Sequence, residues 1–375
     1  MPAKKHNKTK AGFLSRFILV LNVLMVLVLL SCYAASRISP NTFWPAVFLN
    51  LAYPAILLIN VLFIIFWLLR LRAWFLLSLI TVLLGWSHVK AYIKFSGNNK
   101  VPAHMNSISV MSFNVRFFDR YSWVNTKKVE TRNKIFELID RENPAIICFQ
   151  EFYSDLTQNF NTVKALAADH GYVHYHTAYA LVQKGNRSYG IATFSKHPII
   201  RRDSYRFTNN IYNFAVISDI VVEPDTFRVF NVHFESIRMS NEDRLFINDL
   251  RRQVGSQDIA VENYKRIFGK IRSAAALRSS QAREIRELIE SSPYPVILCT
   301  DLNDTPSSFA YRQLTASLND AFVESGRGLG NTYIGFLPAF RIDFILYDPF
   351  FESTKYRTLP DQLSDHYPVI TKLLY

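Results

Sequence analysis

The chain has 375 residues, which is enough for one large domain or two of ordinary size. Its net charge of +13 comes almost wholly from the first hundred residues, which hold eleven Lys or Arg and no Asp or Glu. The remainder has 32 basic and 30 acidic side chains, so its charge does not indicate a nucleic-acid-binding domain.

Three long apolar segments occupy the first hundred residues, near positions 17–35, 47–69 and 73–93. A helix of roughly 20 residues crosses the hydrocarbon core of a bilayer. We therefore predict an N-terminal membrane region over residues 1–95 with about three transmembrane helices. The alternative is a buried helical core, which would need a large soluble surface to cover it.

Basic residues flank these segments unevenly. Five of them lie between Lys4 and Arg16, and two more lie in the short link "RLR" at 70–72. The positive-inside rule places both sites in the cytoplasm, and three crossings then place the rest of the chain outside it. Three lysines between Lys90 and Lys100 oppose this orientation. The prediction is an integral protein of a bacterial inner membrane whose C-terminal domain faces outward.

The three cysteines carry different predictions. The sequence "LLSC" at 29–32 resembles a bacterial lipoprotein cleavage site, in which case residues 1–31 would be a signal peptide and Cys32 would carry lipid. The C-terminal domain would stay on the same side. Cys148 and Cys299 lie in apolar runs and are interpreted as small core residues, and nothing in the sequence requires them to pair.

After a linker at 96–105 the pattern changes to short apolar runs bounded by polar turns. Helices are predicted in "KKVETRNKIFELIDREN", in "NTVKALAADHG" and over most of residues 240–292. Many strands with few helices between them favour two stacked sheets with helices outside. The predicted strands are "ISVMSFNVRFF", "PAIICFQE", "YGIATFSKHPI", "NFAVISDIVVE", "TFRVFNVHFES", "YPVILCTDLND", "FRIDFILY" and the run after "SDH".

Polar side chains interrupt these apolar runs at strand ends. Each one alone fits a structural role, such as a turn, a helix cap or a buried hydrogen bond. Together they supply the carboxylates, amides and imidazoles that metal-assisted phosphoester hydrolysis requires, and oxygen ligands suit Mg²⁺ or Mn²⁺ rather than zinc. They are Asn114, Glu151, His233, Asp301, Asn303, Asp343, Asp365 and His366.

The ordered motifs "FNVR", "FQE", "YGIATFSKHPI", "NVHFES", "TDLND", "RIDFIL" and "SDHYPV" resemble the endonuclease/exonuclease/phosphatase superfamily. That group includes DNase I, the exonuclease III-type nucleases, neutral sphingomyelinases and inositol polyphosphate phosphatases. The resemblance spans roughly residues 106–375. It implies a catalytic domain with a four-layer α/β sandwich, in which two packed mixed sheets are flanked by helices and the site lies at one end of the sheets.

The resemblance also implies ligands for a metal and for the substrate. It makes Asn114, Glu151 and Asp365 the residues that hold Mg²⁺ or Mn²⁺. It assigns contacts with the substrate phosphate to a second, overlapping set, consisting of Asn114, His233, Asn303 and His366.

Catalytic roles follow from the same motifs. By resemblance, Asp301 orients and deprotonates the attacking water and Asn303 positions it. His233 contacts the phosphate. Asp343 pairs with His366, fixing its tautomer and raising its basicity. From the residues alone, a salt bridge between Asp343 and Arg341 is the structural alternative.

Two departures from the family pattern bear on these implications. Thr300 stands where relatives usually have Gly before the D-x-N motif, and this change is expected to be tolerated. "FRIDF" departs from the inositol 5-phosphatase pattern, which ranks that branch low. The segment 236–280 is long for the family, and its amphipathic stretch "RLFINDLRRQVG" is interpreted as a packed helix rather than a substrate or membrane contact.

These observations predict a membrane-anchored, metal-dependent phosphoester hydrolase, either a phosphodiesterase or a phosphatase, that acts outside the cytoplasm. Its expected partners are the lipid bilayer, through the N-terminal helices, and a phosphoester substrate. One alternative is an extracytoplasmic nuclease acting on DNA or RNA, which the charge does not indicate. The other is a non-catalytic binding or scaffold protein on the same fold.

Overall fold

A computed structural model describes residues 12–98, 100–102, 104–121, 128–157, 160–183, 186–208, 213–240, 242–243, 245, 257–334 and 340–375. The amphipathic stretch at 244–255 lies outside these residues except for position 245, so its predicted packing is not described.

Four helices form the N-terminal region. They are α1 (Phe13–Ala35), α2 (Ala46–Leu69), α3 (Phe75–Leu84) and α4 (Trp86–Tyr92). Helices α1 and α2 are each long and apolar enough to cross a membrane. Helices α3 and α4 meet that criterion only as a pair, because the chain bends by 74° between them.

The bend lies at Gly85, within the third apolar segment. A Cβ atom at this position would lie only 2.0 Å from the ring of Tyr33 on α1. The absence of a side chain therefore lets Tyr33 pack against the backbone between α3 and α4. Local hydropathy does not reveal this bend, because it depends on a residue from a different helix.

Buried polar side chains connect the first three helices. Asn22 donates to Ser78 Oγ at 2.6 Å, and Ser78 donates to Asn60 Oδ1 at 3.0 Å. Trp67 Nε1 donates to Asn22 Oδ1 at 3.0 Å. In apolar surroundings such interhelical hydrogen bonds hold helices together. The polar interruption at Asn22 in the first apolar segment is thus a contact between helices.

Twelve strands and five further helices make up the rest of the described chain. The helices are α5 (Lys128–Glu142), α6 (Thr162–Asp169), α7 (Gln257–Glu290), α8 (Phe309–Leu314) and α9 (Ala321–Ser325), with a 3₁₀ turn at Arg116–Asp119. The strands are β1 (Ser107–Asn114), β2 (Ile146–Ser154), β3 (His174–Gln183), β4 (Arg187–Ser195), β5 (Ile199–Arg206), β6 (Phe214–Val222), β7 (Asp225–His233), β8 (Val296–Asp301), β9 (Asn319–Asp320), β10 (Asp343–Tyr347), β11 (Glu352–Thr358) and β12 (Val369–Leu374).

The strands form two six-stranded mixed sheets. The first has the order β11-β12-β1-β2-β4-β3 and the second has the order β5-β6-β7-β8-β10-β9. Their inner faces share one core, in which Val110 and Cys148 of the first sheet meet Val229, Ile297 and Cys299 of the second. Both cysteines are buried free thiols, which confirms their interpretation as core residues.

Helices cover the two outer faces. Ile135 and Leu138 of α5 pack with Phe113 of the first sheet. Ile285 of α7 packs with Phe230 of the second sheet. Helix, sheet, sheet and helix are therefore stacked in four layers, which confirms the predicted α/β sandwich.

Four strands were not predicted, and each of them lies at a sheet edge: β3, β5, β9 and β11. Most of β5 is exposed, so its sequence lacks the alternation of apolar and polar residues that marks a half-buried strand. Edge strands are defined by backbone pairing with a distant partner, which a local sequence window does not contain. Thr300 fits within β8, paired with Val232 and Phe344.

Candidate active site

Strand order and direction bring the predicted residues to one end of the sandwich. In the first sheet β1 and β2 run parallel, with Asn114 paired to Gln150 and Glu151 following it. In the second sheet β7 and β8 run parallel, with His233 paired to Asp301. Strand β10 runs antiparallel to β8, so its first residue, Asp343, also pairs with Asp301.

Asp301 lies at the centre of the cluster. Its side chain is buried, and its Oδ2 accepts a hydrogen bond from Asn114 Nδ2 at 2.8 Å. The same oxygen lies 3.5 Å from His233 Nε2 and 3.9 Å from His366 Nε2. Its Oδ1 accepts a hydrogen bond from the backbone N–H of Asn303 at 2.9 Å. One carboxylate thus contacts or faces groups of four other residues, three of which are distant in sequence.

These neighbours keep Asp301 ionised. Burial alone would raise its pKa, but the positive charge of His366 and the hydrogen bond with His233 outweigh burial and lower the pKa to about 2. The hydrogen bond from Asn114 acts in the same direction. Asp301 is therefore a carboxylate across the physiological pH range.

His366 and Asp343 form the expected pair. His366 Nδ1 lies 2.9 Å from Asp343 Oδ2 and 3.2 Å from Oδ1, and both side chains are buried. Burial disfavours the charged imidazole, yet attraction to Asp343 and Asp301 raises the pKa of His366 to about 10. The hydrogen bond directs Nε2 of His366 toward Asp301.

The alternative salt bridge between Asp343 and Arg341 does not form. Arg341 instead donates to Asp320 Oδ2 at 2.7 Å, and both of these side chains are buried. Asp343 is held from another direction, because Thr332 Oγ1 accepts hydrogen bonds from the backbone N–H groups of Ile342 and Asp343 at 3.0 and 3.1 Å. Thr332 lies outside the motifs of the sequence, and no local pattern marks it.

Glu151 reaches the site through an irregularity in β2. The register between β2 and β4 shifts between Phe149 and Phe152, and Glu151 has a left-handed φ of 48°. This bulge leaves both phenylalanines in the outer core while Glu151 lines the cavity beside Asp301. A strained backbone at a non-glycine residue persists only when its surroundings hold it, and functional sites are where it is often found.

His233 and Asn303 lie next to each other. Asn303 has a φ of 55°, and its Nδ2 lies 3.3 Å from His233 Nε2. That amide also donates to the backbone oxygen of Phe234 at 3.2 Å, which holds its orientation. Burial opposes protonation of His233, but the hydrogen bond and charge of Asp301, with the charge of Glu151, raise its pKa overall.

Asp365 forms an ion pair with Arg116, a residue for which the sequence predicted no role. Arg116 Nη1 lies 3.4 Å from Asp365 Oδ2, and the Arg116 backbone N–H donates to Asn114 Oδ1 at 3.0 Å. Arg116 begins a turn of four consecutive left-handed residues, ending at Asp119. Its position in the motif "FNVR" was the available signal. Arg116 therefore contacts two residues of the predicted metal set.

A buried amide network supports the site from between the sheets. Gln150 Nε2 donates to Asn231 Oδ1 at 2.8 Å and to Ser112 Oγ at 3.2 Å. Asn231 in turn donates to the backbone oxygens of Phe149 and Ala192. These bonds link β2, β4 and β7 through Gln150, which precedes Glu151, and Asn231, which is two residues before His233. Buried networks of this kind hold neighbouring strands in one arrangement.

The donor set fits a divalent cation. Burial and the negative charges of Asp365 and Asp301 raise the pKa of Glu151, against the opposing pull of His233. A cation beside these carboxylates would relieve that repulsion. Asp301, Asp343 and His366 also offer ligand atoms within 4.8 Å of one another, but the last two already share a hydrogen bond. Asn114 uses its amide to hold Asp301 and Arg116.

Two cavities meet at this cluster. The first, of about 310 Å³, is lined by Glu151, Asp301, Asp365 and His366 on one side. The second, of about 380 Å³, is bordered by His233 and by side chains of β4 and β6. The two share Glu151, Ser236 and Arg238, so the polar cluster lies between two recesses.

A four-layer sandwich with carboxylates, amides and a paired histidine at one end defines the class of protein. The chain belongs to the Endonuclease/Exonuclease/phosphatase family, whose profile matches residues 111–366. Residues 15–92 match a separate family described only as a domain of unknown function, DUF8431. No curated protein sequence matches the chain.

Solved structures support the same fold. An endonuclease/exonuclease/phosphatase family protein from Bacteroides thetaiotaomicron is 17% identical, with a TM-score of 0.51 over 72% of this chain and 99% of that one. The human Nocturnin catalytic domain with bound sulfate is 17% identical, with a TM-score of 0.50 over 72% and 97%. A humanized D. rerio TDP2 is 14% identical, with a TM-score of 0.50 over 71% and 98%. At these identities the likeness concerns the fold.

Proposed function

We propose that this chain is a membrane-anchored, divalent-metal-dependent phosphoester hydrolase whose catalytic domain lies outside the cytoplasm. The observation that carries the proposal is the convergence around Asp301. Asn114, Asn303, His233 and His366 all lie within 4 Å of its carboxylate, although all but Asn303 are distant from it in sequence. A scaffold protein would have no need of this arrangement.

Asp301 is suited to orient a water molecule. Its low pKa makes it a permanent anion, so it accepts a hydrogen bond from water and directs a lone pair toward phosphorus. The same low pKa makes it a weak base, which favours orientation over early proton removal. Asn303, beside His233, is placed to hold the same water or a phosphate oxygen.

His366 is suited to stabilise negative charge. Its Nδ1–H donates to the carboxylate of Asp343 and its pKa is raised to about 10, so His366 is an imidazolium at neutral pH. Its Nε2–H group can donate to a phosphoryl oxygen as charge develops there. His233, whose pKa is also raised, supplies a second donor, because its Nε2 faces the same oxygen of Asp301.

Glu151 and Asp365 are the residues that we propose hold Mg²⁺ or Mn²⁺, with Asn114 as a third oxygen donor. When bound, such an ion neutralises charge on phosphate oxygens and helps to activate water. Arg116, which lies 3.4 Å from Asp365, keeps that carboxylate in place on the cavity wall.

The contacts of the N-terminal helices support the proposed orientation. The loop between α1 and α2 lies against the catalytic domain, where Ser39 Oγ is 3.0 Å from Ser279 Oγ. The chain after α4 also contacts it, through the backbone pairing of Lys94 with Gly328. The basic residues Arg16 and Arg70 lie at the other ends of these helices, away from the loop: Arg16 is near the start of α1 and Arg70 follows the end of α2. If these ends are cytoplasmic, the catalytic domain is outside.

Activity of the full chain in detergent tests the proposal. We expect hydrolysis of bis(p-nitrophenyl) phosphate or p-nitrophenyl phosphate with Mg²⁺ or Mn²⁺, and loss of that hydrolysis in EDTA. Glu151→Gln removes one negative charge from the proposed metal site, so turnover should fall by about 10²-fold or more.

The matched control is Glu130→Gln, which makes the same chemical change on the exposed surface of α5, where Glu130 pairs with Lys134. That variant should keep wild-type turnover. Full activity of the wild-type protein after metal removal, or equal turnover in the two glutamine variants, would contradict the proposed metal dependence.

A further inference from the structure

One wall of the catalytic cavity comes from the membrane region. Leu51 of α2 lines the same 310 Å³ cavity as Glu151, Asp301 and His366. The wall continues with apolar side chains of the catalytic domain, namely Ile237, Met239, Ile271, Phe340 and Ile342. The cavity therefore has a charged catalytic side and an apolar side, and the apolar side includes a residue of a helix that can span a bilayer.

Helix α2 is attached to the catalytic domain at this place. The rings of Phe48 and Phe268 pack at 4.9 Å, and the guanidinium of Arg272 lies 5.5 Å from the ring of Trp44. The backbone oxygen of Asn50 accepts a hydrogen bond from Ser307 at 2.7 Å. These contacts are made by residues that closely precede Leu51 in sequence, so several interactions hold this end of α2 at the cavity wall.

An apolar stripe leads from the cavity along α2. This stripe, which starts at Leu51 and ends at Leu69, consists of apolar residues three or four positions apart, so that they share one face of the helix. From Leu58 onward they are exposed: Leu58 by 59%, Leu62 by 54% and Leu69 by 80%. A helix rises about 1.5 Å per residue, so the stripe extends about 27 Å, close to the thickness of a bilayer core. The α2 stripe consists of Leu51, Ala55, Leu58, Leu62, Ile65 and Leu69.

We infer that the substrate is a membrane lipid phosphoester. This inference rests on the proposed function. Its phosphate lies at the Asp301 cluster, and its hydrocarbon chains lie against Leu51 and Ile271 and continue along the α2 stripe. A lipid can reach the cavity from the bilayer without passing through water, because the apolar wall and the bilayer-facing surface of α2 are continuous. A nucleotide would leave these side chains without an apolar partner.

The experiment compares chain lengths with the full chain reconstituted in phosphatidylcholine vesicles with Mg²⁺ or Mn²⁺. Each vesicle preparation contains one test lipid, which is phosphatidylethanolamine, phosphatidylglycerol, a phosphatidylinositol phosphate or sphingomyelin. A water-soluble short-chain analogue of each test lipid is assayed beside it. Release of the phosphate-bearing or lipid product is measured, with bis(p-nitrophenyl) phosphate and a single-stranded oligonucleotide as soluble substrates. We expect at least one long-chain lipid to exceed its short-chain analogue in kcat/KM by about tenfold or more.

Two variants test the wall itself. Leu51→Ala combined with Ile271→Ala should lower the ratio of long-chain to short-chain kcat/KM by about tenfold. The ratio is independent of the folded fraction, because both substrates report on the same enzyme. Leu68→Ala removes a side chain that is 47% exposed on another face of α2, and it should leave the ratio unchanged.

The outcomes separate the two proposals. Hydrolysis of the soluble diester or the oligonucleotide without hydrolysis of any long-chain lipid would overturn the lipid inference and leave the phosphoester hydrolase intact. So would a chain-length ratio that the Leu51 and Ile271 changes do not alter. If no phosphoester is hydrolysed under any metal condition, the proposed function fails and the lipid inference fails with it.

Discussion

The pairing of His366 with Asp343 shows how one buried contact sets the chemistry of the site. The imidazole is buried, and burial alone would keep it neutral. Two carboxylates, Asp343 at 2.9 Å and Asp301 at 3.9 Å, reverse that preference. The outcome depends on distances of a few ångströms between residues that are 23 and 65 positions apart in the chain.

A double-mutant cycle tests whether His366 and Asp343 act as one unit. Asp343→Asn and His366→Ala should each lower turnover by about 10²-fold or more, because either change removes the charged donor. The double variant should be little worse than the poorer single variant. Thermal melting of each variant serves as the control for folding. Strictly additive losses, or near-wild-type turnover in Asp343→Asn, would remove the pair from the mechanism.

The raised pKa of His366 predicts an alkaline limit to activity. Since the charged form is the proposed donor, kcat/KM should fall as pH rises toward about 10. Asp343→Asn removes the largest attraction that raises this pKa, so its alkaline limb should move to lower pH. The measurement is kcat/KM of the wild type and of Asp343→Asn as a function of pH at a saturating metal concentration. Identical alkaline limbs in the two proteins would count against the assignment.

The same shift has a consequence for stability. An unfolded histidine has a pKa near 6.5. A folded pKa above that value stabilises the protein fully below about pH 6.5, and the stabilisation is lost as pH rises toward about 10. For Asp301 the pH dependence of stability has the opposite sign. Its lowered pKa stabilises the folded protein at pH values above the pKa of an unfolded Asp, and this stabilisation is lost as pH falls toward about 2.

At the scale of elements, Arg341 connects the N-terminal helices to the start of β10. Its guanidinium pairs with Asp320 at 2.7 Å and donates to the backbone oxygen of Ala91 on α4 at 2.7 Å. It also lies 4.5 Å from the ring of Phe322 and 4.6 Å from that of Phe344. The residue that contacts α4 therefore lies two residues before Asp343, the first strand residue of β10.

Removing this cation should destabilise the fold. Arg341→Met leaves Asp320 buried without its ion-pair partner, at a cost of roughly 3–5 kcal/mol in the free energy of unfolding. Asp320→Asn in the same chain removes the uncompensated charge, so the double variant should recover part of the loss. Chemical denaturation of the three proteins in detergent provides the comparison. Equal stability of Arg341→Met and wild type would show that the pair contributes little.

Also at the scale of elements, β2 has a bulge, and β4 beside it packs closely against β3. Gly190 on β4 has no room for a side chain, because a Cβ atom would lie 2.0 Å from the backbone oxygen of Ala178 on β3. Gly190 also lies opposite Phe152, directly after the bulge at Glu151. Gly190 thus occupies a place where two strands approach closely beside the active site.

At the scale of the whole molecule, the ends of the helices predict sidedness. The α1–α2 loop and the end of α4 contact the catalytic domain, while Arg70 and Arg72 lie at the other end of α2 and α3. We expect a reporter that is active only outside the cytoplasm to function when it is fused after Tyr375. A cytoplasmic reporter at the same position is the control. Activity of the cytoplasmic fusion alone would reverse the proposed orientation.

The sequence by itself determined those features that depend on local composition or on short ordered motifs. Hydropathy over a window of about 20 residues was enough to find the apolar helices, because the requirement for apolar side chains in a bilayer adds up residue by residue. The ordered motifs were enough to identify the family and to list the polar residues. Buried strands such as β2 and β8 were recognisable because both of their faces are apolar.

Only the tertiary structure decided which of those residues meet. Asn114 and Asp301 are 187 residues apart, and their hydrogen bond depends on the order and direction of strands in two sheets. The ion-pair partner of Arg341 is Asp320 and not Asp343, which is nearer in sequence, and the same guanidinium also donates to the backbone of α4. Leu51 lines the catalytic cavity because α2 docks against α7, a contact between segments more than 200 residues apart. Such long-range contacts balance burial, hydrogen bonding and charge over the whole molecule, and no local window of sequence contains that balance.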